Sequence, residues 1–129
     1  DRVTEFVPEA VRQVISPEAA AQTTEMLVYA VNTVLTTGAI PGYQVAGKSG
    51  TSEIPVMGTY DPRETIASFA GYVPADDPRF SMLVVIDRPQ KDHEGVTVAA
   101  PVFREIAQQV LTLLAVPPDS VRASMRQDT

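Results

Sequence analysis

The chain contains no cysteine. That excludes disulfides, thiolate nucleophiles and cysteine-ligated metal centres, and it leaves the compartment open. Lysine is almost as scarce: only Lys48 and Lys91 occur, beside eight arginines, in a chain of net charge −6. No basic run of five or more residues is present. Nucleic acid is therefore not expected as a partner, because neutralising phosphates needs clustered cations. An anionic membrane surface is disfavoured for the same reason. No stretch approaches eighteen apolar residues, so nothing here is expected to span a bilayer. The charged run Asp1-Arg2-Val3-Thr4-Glu5 leads into no apolar segment, so no secretory signal is read, and any membrane anchor is expected outside the chain.

What is present is a globular composition. Hydrophobic residues make up 44% and charged residues 20% of the 129 positions. That suffices for one compact domain or a large piece of one. Residues 1–10 read as a connector and 11–15 as a short alternating strand. Ser16-Pro17 has the form of a helix start, with serine as N-cap and proline in the first turn. Ala20, Thr24, Leu27, Val28, Val31 and Leu35 then fall on one face, and Gly38 is placed to end a helix over 17–37. Residues 44–51 read as a strand with two glycines, which often mark close approach of another backbone or a ligand. Residues 52–64 hold Pro55, Gly58 and Asp61-Pro62 and read as a loop.

Strands follow at 65–73 and 80–87, joined by the tight connection 74–78, so they are expected to pair as an antiparallel hairpin. Residues 82–86 are continuously apolar, which predicts a strand buried on both faces. A helix over 98–115 carries Val98, Val102, Phe103, Ile106, Val110, Leu113 and Leu114 as its stripe, with Pro101 in its first turn and Pro117-Pro118 beyond its end. Residues 119–129 read as a polar, mobile tail. The predicted class is α+β, an antiparallel sheet with helices packed on it.

The segment that carries chemistry is Gly47-Lys48-Ser49-Gly50-Thr51. The plain reading of Lys48 is a charge that protects an edge strand from aggregation. The Lys-Ser/Thr-Gly triplet on a strand is also one of three motifs of serine β-lactamases and penicillin-binding proteins. The stretch from Pro41-Gly42-Tyr43-Gln44-Val45-Ala46 into the triplet resembles the approach to that strand in class B penicillin-binding proteins. Ala67-Ser68-Phe69-Ala70-Gly71-Tyr72-Val73-Pro74-Ala75-Asp76-Asp77-Pro78, Val84-Val85-Ile86-Asp87 and Val98-Ala99-Ala100-Pro101-Val102-Phe103 resemble the strand and turn, last strand and last helix that follow. The similarity runs in order over about 11–118, outweighs the plain reading, and implies the C-terminal portion of the β-lactamase/penicillin-binding transpeptidase fold.

The resemblance implies an acyl-serine transpeptidase that cross-links peptidoglycan stem peptides and binds β-lactam antibiotics. It implies a location on the extracytoplasmic face of a bacterial cell membrane. Lys48 is expected to place a cation in the cleft, hydrogen-bonding a hydroxyl of the second motif and attracting the substrate carboxylate. The hydroxyls of Ser49 and Thr51 would bind that carboxylate, and Gly50 would let the peptide approach. The backbone N–H of Thr51 would be one oxyanion-hole donor. The peptide would add alongside 44–51 as a further strand, which requires that segment to lie at a sheet edge. Ser49 stands where threonine is more frequent in the family, and it keeps the hydroxyl.

Two family motifs are missing. No serine is followed three residues later by lysine, so there is no Ser-x-x-Lys. The only asparagine, Asn32, is preceded at two positions by Ala30, so Ser-x-Asn fails too. Both are expected in an upstream part of the domain, which would be this chain's partner, and the chain alone is expected to be inactive. No cofactor and no metal are expected. His93, the only histidine, reads as a solvated loop residue. Asp76-Asp77 and the Asp92/Glu94 pair read as turn and surface residues. A β-lactamase or D,D-carboxypeptidase, or a non-enzymatic β-lactam sensor or scaffold, remain the alternatives. The domain is expected over 1–118.

Overall fold

The Ser16 hydroxyl accepts from the Ala19 N–H at 3.2 Å and Pro17 opens the first turn, so helix α1 starts where the sequence places it, at Pro17–Thr33. The computed structural model describes residues 9–127. After α1 come a 3-10 turn at Thr36–Gly38, strands β1 (Ala46–Val56), β2 (Thr59–Val73) and β3 (Phe80–Asp87), and helices α2 (Gly95–Leu113) and α3 (Asp119–Gln127). The strands form one antiparallel sheet in the order β1-β2-β3. The α+β layout and the β2–β3 hairpin are as expected.

The core sits between the sheet and α2. Phe69 of β2 and Phe103 of α2 are fully buried, with ring centroids 4.9 Å apart and planes tilted by 54°. Glycines admit these rings. A Cβ on Gly47 would lie 2.6 Å from Phe69 Cζ, and one on Gly71 would lie 2.9 Å from Phe103 Cζ. Gly38 has the same role, its Cβ position lying 2.8 Å from Phe69 Cζ, and α1 has already ended at Thr33.

The face of α2 differs from the predicted stripe. Its buried positions are Gly95, Ala99, Ala100, Phe103, Ala107 and Leu111, while Ile106 and Leu113 point outward at 42% and 83% exposure. Small residues let the helix approach closely, and the larger apolar side chains would hold it off the sheet. The helix begins three residues earlier than expected, so Pro101 stands in its second turn and leaves the carbonyl four residues back, at Thr97, without a helical donor.

Other elements were also read differently from sequence. Residues 52–64 are not a loop: β1 and β2 run on into a hairpin whose turn is Met57-Gly58, with φ of 50° and 82°. Both central residues at positive φ are what a tight two-residue hairpin needs. Pro55 is accommodated by a register shift between Glu53 and Pro55, on an edge strand where a missing N–H is tolerated. Residues 11–15 form no strand, and Val11 and Val14 are 89% and 74% exposed. Strand β3 alternates between half-buried and exposed positions, with Leu83 and Val85 outward, so its apolar run is covered on one face only among the described residues. Of the connector expected at 1–10, residues 1–8 lie outside the described residues.

The expected mobile tail instead contains helix α3. Its Arg122 is buried and bridges Asp76 of the β2–β3 turn and Asp119. Partial burial pushes the Asp76 carboxyl up, but the hydrogen bond and charge of Arg122 outweigh it, with Arg126 adding, and the pKa lies below the usual aspartate value. A lowered folded-state pKa contributes stability above the unfolded value of about 4 and loses it as pH falls further.

Two outcomes follow. Phe103→Ala is expected to lower unfolding free energy by about 3–5 kcal/mol, read from a denaturant midpoint with unchanged slope. Asp76→Asn is expected to be less stable than the wild type near pH 7, with the difference shrinking as pH drops below about 4. A constant difference across an acid titration would contradict the assigned direction.

Candidate active site

Strand β1 pairs only with β2, so its other side is a free edge among the described residues. Lys48, Ser49, Gly50 and Thr51 stand opposite Ala70, Phe69, Ser68 and Ala67. Strand alternation then separates them. Ser49 and Thr51 share the α2 face with Phe69, and Lys48 projects from the other face with Ala70. The predicted site residues therefore come together only along the outer edge of the strand, not on one surface.

Lys48 is exposed, and its Nζ donates to the Ser49 carbonyl at 2.7 Å. On its side lies an open depression of about 360 Å³, lined by Lys48, Ala46, Ala70, Tyr72, Leu83 and Leu27 of α1. The Tyr72 hydroxyl is fixed there by Thr24 Oγ1 at 2.7 Å. The ammonium has three donors, so two remain after the Ser49 carbonyl. Ser49 and Gly50 are half-buried. A side chain at Gly50 would meet Ser68 Oγ at 2.6 Å and would have to turn that hydroxyl aside.

Thr51 is exposed, yet its hydroxyl is engaged: Oγ1 accepts the Gly95 N–H at 3.1 Å. This bond ties the strand to the first turn of α2, where backbone N–H groups have no helical partner. The hydroxyl keeps its own hydrogen for donation. Gly95 was missed by sequence reasoning. A Cβ there would collide with the carbonyl oxygens of both Gly50 and Ser68. Its signal was a glycine directly before an apolar helical run.

His93 departs from the expected solvated loop residue. It is half-buried, its carbonyl accepts from Thr65 Oγ1 at 2.9 Å, and its Nδ1 is buried with no partner. With Thr51, Glu53, Asp92 and Glu94 it lines a second open depression of about 490 Å³. Asp76 and Asp77 pair with Arg122 and Arg126. No group of three or more His, Asp or Glu fit to hold a metal occurs among the described residues.

Gly95→Ala is expected to cost about 1–3 kcal/mol, since only backbone can move to relieve the contact. Thermal denaturation would read it; an unchanged midpoint would mean that α2 does not press on Gly50 as described.

A family model described as the penicillin binding protein transpeptidase domain matches residues 3–108. Among curated proteins, the probable peptidoglycan D,D-transpeptidase PbpC of Pseudomonas aeruginosa is 36% identical over 117 residues, covering 88% of this chain and 21% of that protein. Penicillin-binding protein PbpB of Mycolicibacterium smegmatis is 39% identical over 122 residues, covering 85% of this chain and 19% of that protein. The apo transpeptidase domain of penicillin-binding protein 3 from Burkholderia pseudomallei superposes with a TM-score of 0.79 at 36% identity, over 92% of this chain and 37% of that one. The chain thus spans about a fifth of the length of the curated relatives. With the edge strand bearing Lys48-Ser49-Gly50-Thr51, these matches establish that the chain belongs to the penicillin-binding protein transpeptidase family, of the class B type.

Proposed function

We propose that this chain forms one wall of a peptidoglycan D,D-transpeptidase site that β-lactams acylate. The observation that carries the reading is that the Lys-Ser-Gly-Thr segment lies on a strand with a free edge. Relatives named D,D-transpeptidases support it. A stem peptide lies along β1 as an added strand, its main chain pairing with the open side. In the first step a serine oxygen bonds to the penultimate D-alanine carbonyl carbon. The terminal D-alanine leaves as its amine after taking up a proton, and an amine of a second stem then displaces the serine.

Residues of this chain bind and stabilise. The Thr51 N–H donates to the oxyanion that forms on the attacked carbonyl. The Ser49 and Thr51 hydroxyls donate to the terminal carboxylate. Lys48 supplies positive charge from the other face, with donors left for a hydroxyl of the completing segment. The nucleophile and base belong to a segment carrying Ser-x-x-Lys and Ser-x-Asn, with which this chain, the docked α3 included, forms one domain. The complete protein sits at the extracytoplasmic face of a bacterial membrane, held by a segment outside this chain; no helix among the described residues is long and apolar enough to cross a membrane.

The test is labelling of the complete protein with a fluorescent penicillin. A stable adduct is expected, and Lys48→Ala should slow its formation about 100-fold or more. Rapid release of hydrolysed drug would instead indicate a β-lactamase. Absence of any adduct would indicate a scaffold and overturn the proposal.

A further inference from the structure

Strand β1 is held in the sheet from one side only, so its position depends on what fixes the segment leading into it. That segment is tied to the C-terminal part of the chain at three points. The Asp119 N–H donates to the Gly42 carbonyl at 2.9 Å, the Tyr43 hydroxyl donates to the Val116 carbonyl at 2.7 Å, and the Gln44 N–H donates to Asp119 Oδ2 at 2.6 Å. On its other side the Gln44 carbonyl accepts the Ala75 N–H at 2.8 Å. Ala75 is covalently next to Asp76, and Arg122 Nη2 donates both to Asp76 Oδ1 and, at 2.8 Å, to Asp119 Oδ1. The contacts close into a ring, from Gln44 through Asp119, Arg122, Asp76 and Ala75 back to Gln44.

One nitrogen atom completes that ring. Arg122 has a side chain only 8% exposed, and its Nε and Nη1 have no partner, so the bridge is carried by Nη2 alone. Gln44 lies four residues before Lys48. Arg122 lies outside residues 3–108, the part matched by the family model. A charge-assisted bond with its arginine end desolvated is worth more than a pair exposed at the cation, such as Arg63 with Asp61, although Asp76 itself is 40% exposed.

We propose that Arg122 is a positioning residue for the 48–51 strand. By joining Asp76 to Asp119, it clamps Gln44 between α3 and the β2–β3 turn, and so fixes where β1 enters the sheet. Opening the ring frees the start of β1 to move away from β2, which displaces Lys48 and the Thr51 N–H together. The catalytic part of this inference rests on the transpeptidase reading above, while the tether itself does not.

The experiment compares the wild type, Arg122→Gln, Arg122→Lys and Asp119→Ala in the complete protein, below the melting temperature of each. Two quantities are read: the second-order rate constant of acylation by a fluorescent penicillin, and amide hydrogen exchange over 44–51. Arg122→Gln and Asp119→Ala should slow acylation about 3- to 10-fold and speed exchange at 44–48. Arg122→Lys keeps the charge but ends about one bond short of Nη2, so it should fall between the wild type and Arg122→Gln in both readouts. Acylation within twofold of the wild type in Arg122→Gln, or slowed acylation with unchanged exchange at 44–48, overturns the proposal, as does an Arg122→Lys that acylates more slowly than Arg122→Gln. A wild type that forms no adduct overturns the transpeptidase reading instead. The exchange data then judge the tether alone, and unchanged protection at 44–48 in Arg122→Gln overturns it.

Discussion

The rest of the structure depends on how closely helix α2 lies against the sheet. Gly47, Gly71 and Gly95 remove side chains at the contact, and Ala99, Ala100 and Ala107 keep the helix face low. Phe69 and Phe103 can then pack at the centre of a core that Val31, Val45, Val73 and Leu111 complete. The same closeness brings the Gly95 N–H within hydrogen-bonding distance of Thr51. Core packing and the shape of the site strand are therefore one problem, solved by the same small residues.

This explains why so many glycines surround a strand that looks, by propensity, poorly made. Glycine in a strand interior costs about 0.5–1 kcal/mol relative to alanine. Here Gly47 and Gly50 sit between lysine, serine and threonine on an edge strand, where nothing among the described residues pairs across the free edge to offset that cost. What compensates is on the other side: the pairing with β2, the packing of Phe69 beneath, and the bond from α2.

How much of this was legible in the sequence divides along physical lines. The capped start of α1, the β2–β3 hairpin and the Lys-Ser-Gly-Thr strand follow from residues close in the chain, and they were readable. The exposed apolar side chains of α2 misled the stripe, because periodicity records which faces are apolar and not which one a neighbour can approach. Pro55 and Gly58 read as loop formers, since the register shift that admits proline is a property of the paired strands. The α3 helix was invisible for a longer-range reason: a polar segment is held by a buried arginine whose partner Asp76 lies 46 residues earlier. The triplet itself was legible from residue types, but its distribution over two faces of the strand required the register.

That distribution constrains how the site can work. Lys48 and the two hydroxyls stand on opposite faces, so no ligand resting on either face reaches both. Only a molecule lying along the free edge does, and its main chain then meets the unpaired backbone groups of β1 as a neighbouring strand would. An extended peptide has the right spacing for this, because its own groups repeat at the strand period. A compact ligand does the same, under the transpeptidase reading, with an anionic group beside its reacting carbonyl, the anion meeting the hydroxyls and Lys48 from the edge and the carbonyl meeting the Thr51 N–H. Under the transpeptidase reading, the shared shape of a D-alanyl terminus and a β-lactam is thus a requirement imposed by an edge strand, and preserving that edge in place matters as much as the identity of the residues on it.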